Sequence, residues 1–526
     1  MEPPKDPVPN QVVEKAEYET RFPVPGIGGA LVLAGRGEIP IEVLEGFFEL
    51  AGGKEANFLV LCDDRHRMDS KATLVTWRAL GVSSIQLMAA LQEENDGPGY
   101  SEVFESVQGI WIDSTFDLPW NKPQLAESLR AFLDRGGVIG ADRGSARWLT
   151  DMSWWPRDPN LLPRHDPRLL PGAVLSCRGL RSEKYIAKAF SEHAKLQGRF
   201  TIGLADKTAL FVRGRRSRIV GEGDAIFGLS PSANRDLRLI RAKAGDTVDL
   251  IALSRAAVAR TGEEFPAKKM PDPVVESGTL FIGGGGPMPE AGMKRFIEAS
   301  GGPDALIVVI PTAIGSPGLR AIEFGGQNAQ RLRNHGANNV VVLHTFSPTE
   351  ADTDEFVAPL RKAGGIWFTG GRQWNLVDAY RGTKAHELMH DVLARGGAIG
   401  GSSAGASIQA EYMVRGHPLG NTVMMAEGYE KGLGFFPGVA IDQHFAQRNR
   451  FADLASVKHA FPQLLCFGLD EQTMLIVKES VVEIVGPNNV AMYDEPVPDD
   501  YDGTEYRLLK PGDRYDLIKK RFIEDK

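Results

Sequence analysis

Cysteine is scarce in this sequence, and nothing suggests a disulfide framework or a cysteine-based metal site. The chain has 526 residues but three cysteines, Cys62, Cys177 and Cys466. Each lies in an apolar, strand-like run, and there is no CxxC pair. Disulfide-stabilised domains and CxxC-type zinc sites need paired cysteines, so the sequence supports neither. The three thiols are predicted to be buried and unreactive.

Positive charge and long apolar runs are also lacking. The formal net charge is −8, which does not favour a nucleic-acid or membrane-surface partner. No apolar run is long enough to span a bilayer. The N-terminus, MEPPKDPVPNQ, does not have the pattern of a signal peptide. The location is therefore taken as cytoplasmic by default only, because an exported chain that had lost its signal would look the same.

The sequence does contain a long internal repeat. GALVLAGRGEIP from Gly29 matches GTLFIGGGGPMP from Gly278, and FLDRGGVIG is followed later by VLARGGAIG. Matches in the same order along the chain indicate two copies of one domain. The segment between them is charged and contains proline, as domain linkers often do. We predict a Pro-rich tail over 1–26, a first copy over 27–262, a linker over 263–274 and a second copy over 275–526.

Short apolar runs and amphipathic segments alternate within each copy. Runs such as ALIVVI and NVVVL are rich in β-branched residues, and helical patterns separate them. This alternation is typical of an α/β fold with a mainly parallel sheet covered by helices on both faces. We therefore predict two tandem, doubly wound domains of this class.

The second copy contains a G-x-S-x-G motif at residues 401–405, between a buried strand and a helix. This is the pattern of a nucleophile elbow, in which small residues permit a tight turn that presents a serine at the sheet edge. A glycine-rich turn with Ser402 or Ser403 as a helix cap fits the motif as well. The motif alone does not separate the two interpretations.

Comparison of the two copies favours a catalytic interpretation. Polar residues of the second copy are replaced in the first, although the glycine and apolar framework is kept: Arg143 stands opposite Ser403, Arg178 opposite His444, Asp206 opposite Glu471, and Asp117 opposite Gln373. Purely structural roles would not predict this joint loss. We predict Ser403 as nucleophile, His444 as general base and then acid, and Glu471 as the carboxylate that orients the histidine. The adjacent Asp470 is an alternative to Glu471.

An acyl-transfer site also needs backbone N–H groups that stabilise the developing oxyanion. The N–H of Ala404, directly after the nucleophile, is one candidate. The other lies in the glycine run at 283–286, at Gly284 or Gly285. This run lacks the spacing of a dinucleotide-binding loop and the lysine of a P-loop, so a phosphate site is not predicted.

Two other classes of function are compatible with parts of the sequence. His386 and His390 lie in HELMH, which matches the HExxH pattern of zinc proteases. The equivalent helix of the first copy reads AESLR, and no third ligand follows, so neither a metal nor another cofactor is predicted. The second alternative is a non-catalytic binding protein, against which the intact Ser403, His444 and Glu471 argue.

The second copy resembles the cyanophycinase branch of the S51 serine peptidases, which have a class I glutamine-amidotransferase-like, flavodoxin-like fold. The motifs that carry the resemblance are GGGGPMP, FTGGRQ, GGSSAGAS, DQHFAQRNR and GLDEQT. The resemblance implies that Ser403, His444 and Glu471 are the catalytic set. It also implies substrate contacts for Gln373, Asp442, Gln443, Arg448 and Arg450. The pair Arg448 and Arg450 also fits an ordinary solvated face.

The resemblance implies a peptide substrate that contains aspartate and arginine. Members of the family hydrolyse cyanophycin, a poly-aspartate backbone with arginine on each side chain, to β-Asp-Arg dipeptides, or they cleave short aspartyl peptides as dipeptidases. This chain departs from the family pattern at Arg372, where an acid is usual, and at Asp453, where a third arginine is usual. Both departures change charge near the predicted site, so serine hydrolysis is better supported than cyanophycin as its substrate.

Related peptidases commonly pair as homodimers. The resemblance implies that the two copies of this chain pair with each other in the same way. The first copy is expected to be an inactive partner of the second, in a pseudo-two-fold arrangement within one chain. On this interpretation the chain has one active site and does not need to dimerise.

Overall fold

The computed structural model describes residues 20–24, 26–62, 67–89, 99–113, 123–153, 168–177, 182–315, 318–494 and 506–524. The chain divides into two compact units, Met1–Glu263 and Glu264–Lys526. The division falls at the start of the segment that the sequence analysis treats as a linker. Asp117 and Arg178, which the repeat sets opposite Gln373 and His444, lie outside the described residues.

The first unit alternates strands and helices and ends on a helix. Its strands are β1 (Ile27–Ala34), β2 (Asn57–Cys62), β3 (Ser84–Ala89), β4 (Gly109–Ile112), β5 (Val138–Asp142), β6 (Thr150–Ser153), β7 (Leu170–Ser176), β8 (Phe200–Leu204), β9 (Thr208–Gly214), β10 (Arg216–Gly221), β11 (Asp224–Leu229), β12 (Arg238–Lys243) and β13 (Thr247–Asp249). Its helices are α1 (Ile41–Leu50), α2 (Arg67–Ala79), α3 (Tyr100–Glu105), α4 (Pro123–Asp134), α5 (Arg143–Ala146), α6 (Glu183–Glu192) and α7 (Leu250–Ala259).

The second unit has the same kind of alternation. Its strands are β14 (Val275–Gly283), β15 (Ile307–Ile310), β16 (Val340–Val342), β17 (Gly365–Phe368), β18 (Ala398–Ser402), β19 (Ala410–Tyr412), β20 (Phe436–Gln443), β21 (Leu465–Leu469), β22 (Met474–Glu479), β23 (Val481–Val485), β24 (Val490–Tyr493), β25 (Arg507–Leu509), β26 (Arg514–Asp516) and β27 (Arg521–Phe522). Its helices are α8 (Glu290–Ala299), α9 (Gly318–Asn334), α10 (Pro348–Ala351), α11 (Asp354–Val357), α12 (Gln373–Tyr380), α13 (Lys384–Ala394), α14 (Ala404–Ser407) and α15 (Phe451–Ala460). None of the described helices combines the length and the hydrophobicity that a bilayer crossing requires.

The two units have the same strand order. The main sheet of the second unit runs β16-β15-β17-β18-β14-β22-β23-β26-β27, and that of the first runs β3-β2-β4-β5-β1-β9-β10-β13. A smaller sheet follows in each, β19-β20-β21-β24-β25 and β6-β7-β8-β11-β12. The first five strands of each main sheet are parallel, and antiparallel strands extend it from β22 and β9. The predicted α/β class is confirmed.

The parallel strands are buried on both faces because helices cover them. All four residues of β15 and all four of β17 are buried, as the apolar runs predict. Helix α8 presents Met293, Phe296 and Ile297 to the core at i, i+3 and i+4 spacing. Such one-sided burial of apolar surface is the main favourable term in folding.

The predicted N-terminal tail over 1–26 differs from the structure at its last residues. Phe22 is buried, and the backbone N–H groups of Arg21 and Phe22 both donate to the hydroxyl of Ser254. Burial of a phenyl ring stabilises by about 1.5–3 kcal/mol, which helps to offset the entropy lost when this short segment is ordered. The proline-rich composition did not reveal this anchor.

A glycine-tryptophan contact recurs in the central sheet of each unit. Trp367 on β17 packs against Gly400 on β18, and Trp111 on β4 packs against Gly140 on β5. A Cβ atom on Gly400 would lie 2.5 Å from the Trp367 ring, and one on Gly140 would lie 2.1 Å from the Trp111 ring. The absence of a side chain at these positions lets the indole lie on the neighbouring strand.

We expect Gly400→Ala to lower the free energy of unfolding by about 1–3 kcal/mol, because overpacking displaces the Trp367 ring from its site. Gly326→Ala is the matched control: Gly326 lies within α9, and an added Cβ meets nothing within 4 Å. There the substitution should stabilise by up to about 1 kcal/mol through helix propensity. Urea unfolding followed by circular dichroism measures both. Equal midpoints for the two variants would contradict the packing argument.

Candidate active site

Ser403 lies in a sharp turn between β18 and α14. Its backbone has φ +58° and ψ −115°, a conformation that a residue with a side chain rarely adopts. A Cβ atom on Gly401 would lie 2.3 Å from the carbonyl oxygen of Gly405, and one on Gly405 would lie 2.2 Å from that of Phe368. The small residues around Ser403 are therefore required by the turn itself, as in a nucleophile elbow.

The structure brings Ser403, His444 and Glu471 into one hydrogen-bonded chain. Ser403 Oγ lies 2.8 Å from His444 Nε2, and His444 Nδ1 lies 2.6 Å from Glu471 Oε1. Asp470, the alternative orienting group, is occupied elsewhere: its carboxylate accepts the backbone N–H groups of Ala446 and Asn489. The carboxylate that contacts the histidine is thus that of Glu471.

His444 is held by the backbone of the glycine loop after β14. Its own backbone, at φ +53°, donates an N–H to the carbonyl oxygen of Gly284 at 2.8 Å. The imidazole lies against Gly285, where a Cβ atom would fall 2.2 Å from the ring. The glycine at 285 is therefore required by the close approach of the histidine.

The pKa of His444 is lowered below its ordinary value. Partial burial is the largest cause, because it disfavours the charged imidazolium, and the positive charges of Arg448 and Arg450 act in the same direction. The hydrogen bond that His444 Nδ1 donates to the carboxylate of Glu471 opposes them. The result is an imidazole that is neutral near pH 7 and able to accept the serine proton.

The two glycines proposed for the oxyanion hole differ in their hydrogen bonding. The N–H of Gly284 donates to the carbonyl oxygen of Thr473 at 2.9 Å, so it is not free to bind an oxyanion. Gly285, at φ +120°, and Ala404, at the first position of α14, keep backbone N–H groups that donate to no described residue. The prediction of Gly284 is thus corrected, and Gly285 and Ala404 are the remaining donors.

Asp442 and Arg450 form a buried charge network and do not project to the surface. Asp442 is fully buried, and it accepts hydrogen bonds from Arg450 at 2.8 Å and from Arg415 at 3.0 and 3.1 Å. Burial raises the pKa of Asp442, and the two arginines oppose this rise. Arg450 also donates to the backbone and side-chain oxygens of Gln443. These bonds give Asp442, Gln443 and Arg450 a supporting role in the site, and their predicted substrate contacts stay a prediction.

Arg448 differs from Arg450 although only one residue separates them. Arg448 is exposed, whereas Arg450 is buried. The interpretation of both as a solvated face is therefore wrong for Arg450. Arg448 keeps an accessible guanidinium close enough to affect the pKa of His444.

Arg415 is the site residue that sequence reasoning missed. It is buried at φ +55° and joins Asp442 to Asp453, whose carboxylate accepts from it at 2.6 Å. Asp453, where the sequence departs from the expected family pattern, is thus paired with an arginine from another segment of the chain. The signal in the sequence was the charge change at Asp453, which calls for a compensating base.

Gln373 also has an internal role. It is buried, and its side-chain amide donates to the carbonyl oxygens of Val414 and Arg415 at 2.8 and 3.1 Å. The amide thereby holds the segment that carries Arg415, and its predicted contact with substrate stays a prediction. The neighbouring Arg372 is exposed.

The HELMH histidines are engaged with the backbone. Nε2 of His386 and Nε2 of His390 lie 2.9 and 2.8 Å from the carbonyl oxygen of Leu433. A nitrogen that contacts a carbonyl oxygen in this way carries a proton and cannot at the same time ligate a metal. Over the ranges that the structure describes, no group of three or more His, Cys, Asp or Glu side chains is arranged to hold a metal ion.

The first unit keeps the turn but not the nucleophile. Arg143 follows β5 at φ +46°, in the place that Ser403 has after β18. Cys177 lies beside it, with its sulfur 3.5 Å from the carbonyl oxygen of Arg143, and burial raises the pKa of this thiol to about 12. Cys62 and Cys466 are buried as predicted, whereas Cys177 is only partly buried.

We expect Asp442→Asn to lower the free energy of unfolding by about 3–5 kcal/mol, because it removes the negative charge between two buried guanidinium groups. The matched control is Asp354→Asn, which weakens an exposed pair with Arg361 and should have a far smaller effect. Chemical denaturation of both variants provides the measurement. A loss at Asp442 as small as that at Asp354 would mean that the buried network does not stabilise the unit.

The chain is similar in sequence to known peptidases. The family model for peptidase family S51 matches residues 280–485. A cyanophycinase from Geminocystis herdmanii is 30% identical over 205 residues, 38% of this chain and 74% of the relative. A cyanophycinase from Synechococcus elongatus is 32% identical over 248 residues, 43% of this chain and 74% of the relative.

A solved structure of a peptidase from an acI-B1 Actinobacterium also aligns, with 23% identity and a TM-score of 0.38, over 46% of this chain and 97% of that one. The family-model match falls within the second unit, which contains Ser403, His444 and Glu471. The chain therefore belongs to peptidase family S51 and is a serine-type peptidase related to the cyanophycinases.

Proposed function

We propose that the second unit hydrolyses aspartyl peptides through an acyl-enzyme formed on Ser403. The observation that carries the proposal is the hydrogen-bonded chain from Ser403 Oγ through both ring nitrogens of His444 to Glu471, with spacings of 2.8 and 2.6 Å. A serine is a weak nucleophile until such a base lies within hydrogen-bond reach. The lowered pKa of His444 supports the role, because the base must be neutral to accept a proton.

In the first step, His444 Nε2 accepts the proton of Ser403, and Oγ forms a bond to the scissile carbonyl carbon. The carbonyl π electrons move to the oxygen, whose negative charge the N–H groups of Gly285 and Ala404 can stabilise. The imidazolium that forms is stabilised by Glu471. The C–N bond then breaks, and Nε2 delivers the proton to the leaving amine.

In the second step, water attacks the ester on Ser403 while His444 Nε2 accepts a proton from it. The ester C–O bond breaks, and Nε2 returns the proton to Ser403 Oγ. The products are the new carboxylic acid and the free serine. Both half-reactions use the same base and the same oxyanion donors.

The names of the relatives and the charges around the site support an aspartyl substrate. The relatives are cyanophycinases, and Arg448 and Arg372 place exposed guanidinium groups on segments adjoining the site. Arginine binds carboxylates through charge-assisted, often bidentate hydrogen bonds. Cyanophycin and short α- or β-linked aspartyl peptides are the candidate substrates, the latter for a dipeptidase. The first unit, with Arg143 at the nucleophile position, is proposed to be non-catalytic.

We expect Ser403→Ala to fold normally and to reduce hydrolysis of aspartyl peptides at least about a thousandfold, because the attacking oxygen is lost. Ser191→Ala, an exposed serine of the first unit, is the control and should keep full activity. Turnover of an α- and β-linked aspartyl peptide panel, with cyanophycin alongside, provides the measurement. Undiminished hydrolysis by Ser403→Ala would contradict the proposal that an acyl-enzyme forms on Ser403.

The same assay separates serine from zinc catalysis. A chelator should leave the rate unchanged, and a serine-directed inhibitor should abolish it. Loss of activity on chelation, with recovery on addition of zinc, would instead indicate zinc-dependent catalysis at His386 and His390. Absence of hydrolysis of every peptide would favour a binding protein.

The acid side of the pH profile of kcat/KM should have its midpoint below the ordinary histidine pKa of 6.5, because the pKa of His444 is lowered. Activity rises with pH as His444 loses its proton. Arg448→Gln removes a positive charge that disfavours the imidazolium, so the pKa should rise and the midpoint should move to higher pH. Arg320→Gln, on the exposed surface of α9, is the control. Identical profiles for both variants would contradict this electrostatic role.

A further inference from the structure

A groove along α9 opens at the catalytic pair. A cavity of about 640 Å³ is lined by Ser403 and His444 at one side and by residues of α9 at the other. Phe324, Asn328 and Leu332 line it at intervals of four residues, and His335 follows directly after the helix. Residues at this spacing share one face of a helix. At 1.5 Å per residue, the 11 residues from Phe324 to His335 span about 16 Å.

The body of the groove is apolar. Met293 of α8, Trp367 of β17 and Leu332 of α9 line it, and all three belong to the buried core of this unit. Phe324 adds a partly exposed ring. A chemical group that enters this space exchanges water for aromatic and aliphatic contacts, which favours apolar side chains.

A positive charge lies on the α9 side of the groove, at Arg331. Arg331 is exposed and lines the cavity one residue before Leu332, and His335 lines it one helical turn further on. Of the described residues that line the groove, none is an aspartate or a glutamate. A carboxylate would therefore meet a guanidinium here, whereas a cationic group would lie beside the like charge of Arg331.

His444 determines which part of a substrate adjoins the groove. In the proposed mechanism its Nε2 delivers a proton to the leaving amine, and the imidazole lines the cavity. In the assignment argued below, the residue that departs with this amine occupies the groove. This step rests on the proposed function of Ser403 and His444.

We propose that the groove binds the leaving-group residue of the substrate, and that it selects an apolar side chain with a free α-carboxylate that pairs with Arg331. The side chain packs against Trp367, Leu332 and Phe324. An arginine side chain in the same place would put a second guanidinium beside Arg331 on apolar walls, where its desolvation is uncompensated. The specificity on this side of the bond is therefore for a neutral apolar residue, not for arginine.

The test compares Asp-Leu, Asp-Ala, Asp-Arg and Asp-Leu amide, each in α- and β-linked form. We expect kcat/KM for Asp-Leu to exceed that for Asp-Arg at least tenfold, since an apolar pocket discriminates side chains by about 10–200-fold. Phe324→Ala should reduce the advantage of Asp-Leu over Asp-Ala. Equal or better use of Asp-Arg would overturn the proposal.

Arg331→Gln tests the carboxylate contact. It should lower kcat/KM about tenfold for Asp-Leu and clearly less for Asp-Leu amide, because the amide lacks the charge that Arg331 pairs with. Arg320 is an exposed arginine of α9 outside the groove lining. Arg320→Gln should leave the ratio of kcat/KM for Asp-Leu to kcat/KM for Asp-Leu amide unchanged. Equal losses on acid and amide with Arg331→Gln would overturn the assignment.

Binding separates this proposal from the proposed reaction. Calorimetric titration of Ser403→Ala with the same four peptides measures their affinities in the absence of turnover. Tighter binding of Asp-Leu than of Asp-Arg and of the amide, together with no hydrolysis by the unmodified protein, would refute the aspartyl peptidase reaction and keep the groove. Hydrolysis of the panel with equal affinities would refute the groove and keep the reaction.

Discussion

The left-handed turn at Ser403 is the constraint on which the catalytic arrangement depends. Ser403 is held at positive φ by a tight turn. The turn requires glycine at 401 and 405, because the backbone atoms that lie against these two residues leave no room for a Cβ atom. Strain of this kind persists only where the surroundings determine the backbone strongly. Here β18 pairs in parallel with β14 and β17, and this pairing fixes the backbone that leads into the turn. The hydroxyl of Ser403 is thereby presented at the edge of the sheet.

A second constraint lies behind the histidine. His444 directly follows a strand whose last residues, Asp442 and Gln443, are tied to Arg450 and Arg415 in a buried network. Removal of charges from water is costly, and it is tolerated only where partners and hydrogen bonds compensate. The network fixes the end of β20, and so the position from which the imidazole reaches Ser403. Within this network Asp442 pairs with Arg415 and Arg450, whereas Arg448 and Arg372 are exposed.

The two units separate what the fold requires from what the chemistry requires. Both have the same strand order, the same glycine-tryptophan contact in the central sheet and a positive φ after the strand that ends at the elbow. Only the second carries a hydroxyl there, at Ser403 in place of Arg143. The positive φ at Arg143 indicates that the turn belongs to the fold and does not depend on a serine at this position.

The sequence by itself determined the α/β class, the repeat, the elbow and the identities of Ser403, His444 and Glu471 as candidates. These follow from local patterns and from side-by-side comparison of the two copies, which need no knowledge of distances. Only the tertiary structure decided that Glu471 and not Asp470 contacts the histidine, and that the N–H of Gly284 is already used. It alone brought Arg415 to Asp442 and the α9 groove to Ser403. The physical reason is that the hydrogen-bond partners of these polar groups come from segments far apart in the chain, so local patterns do not show which groups are already paired.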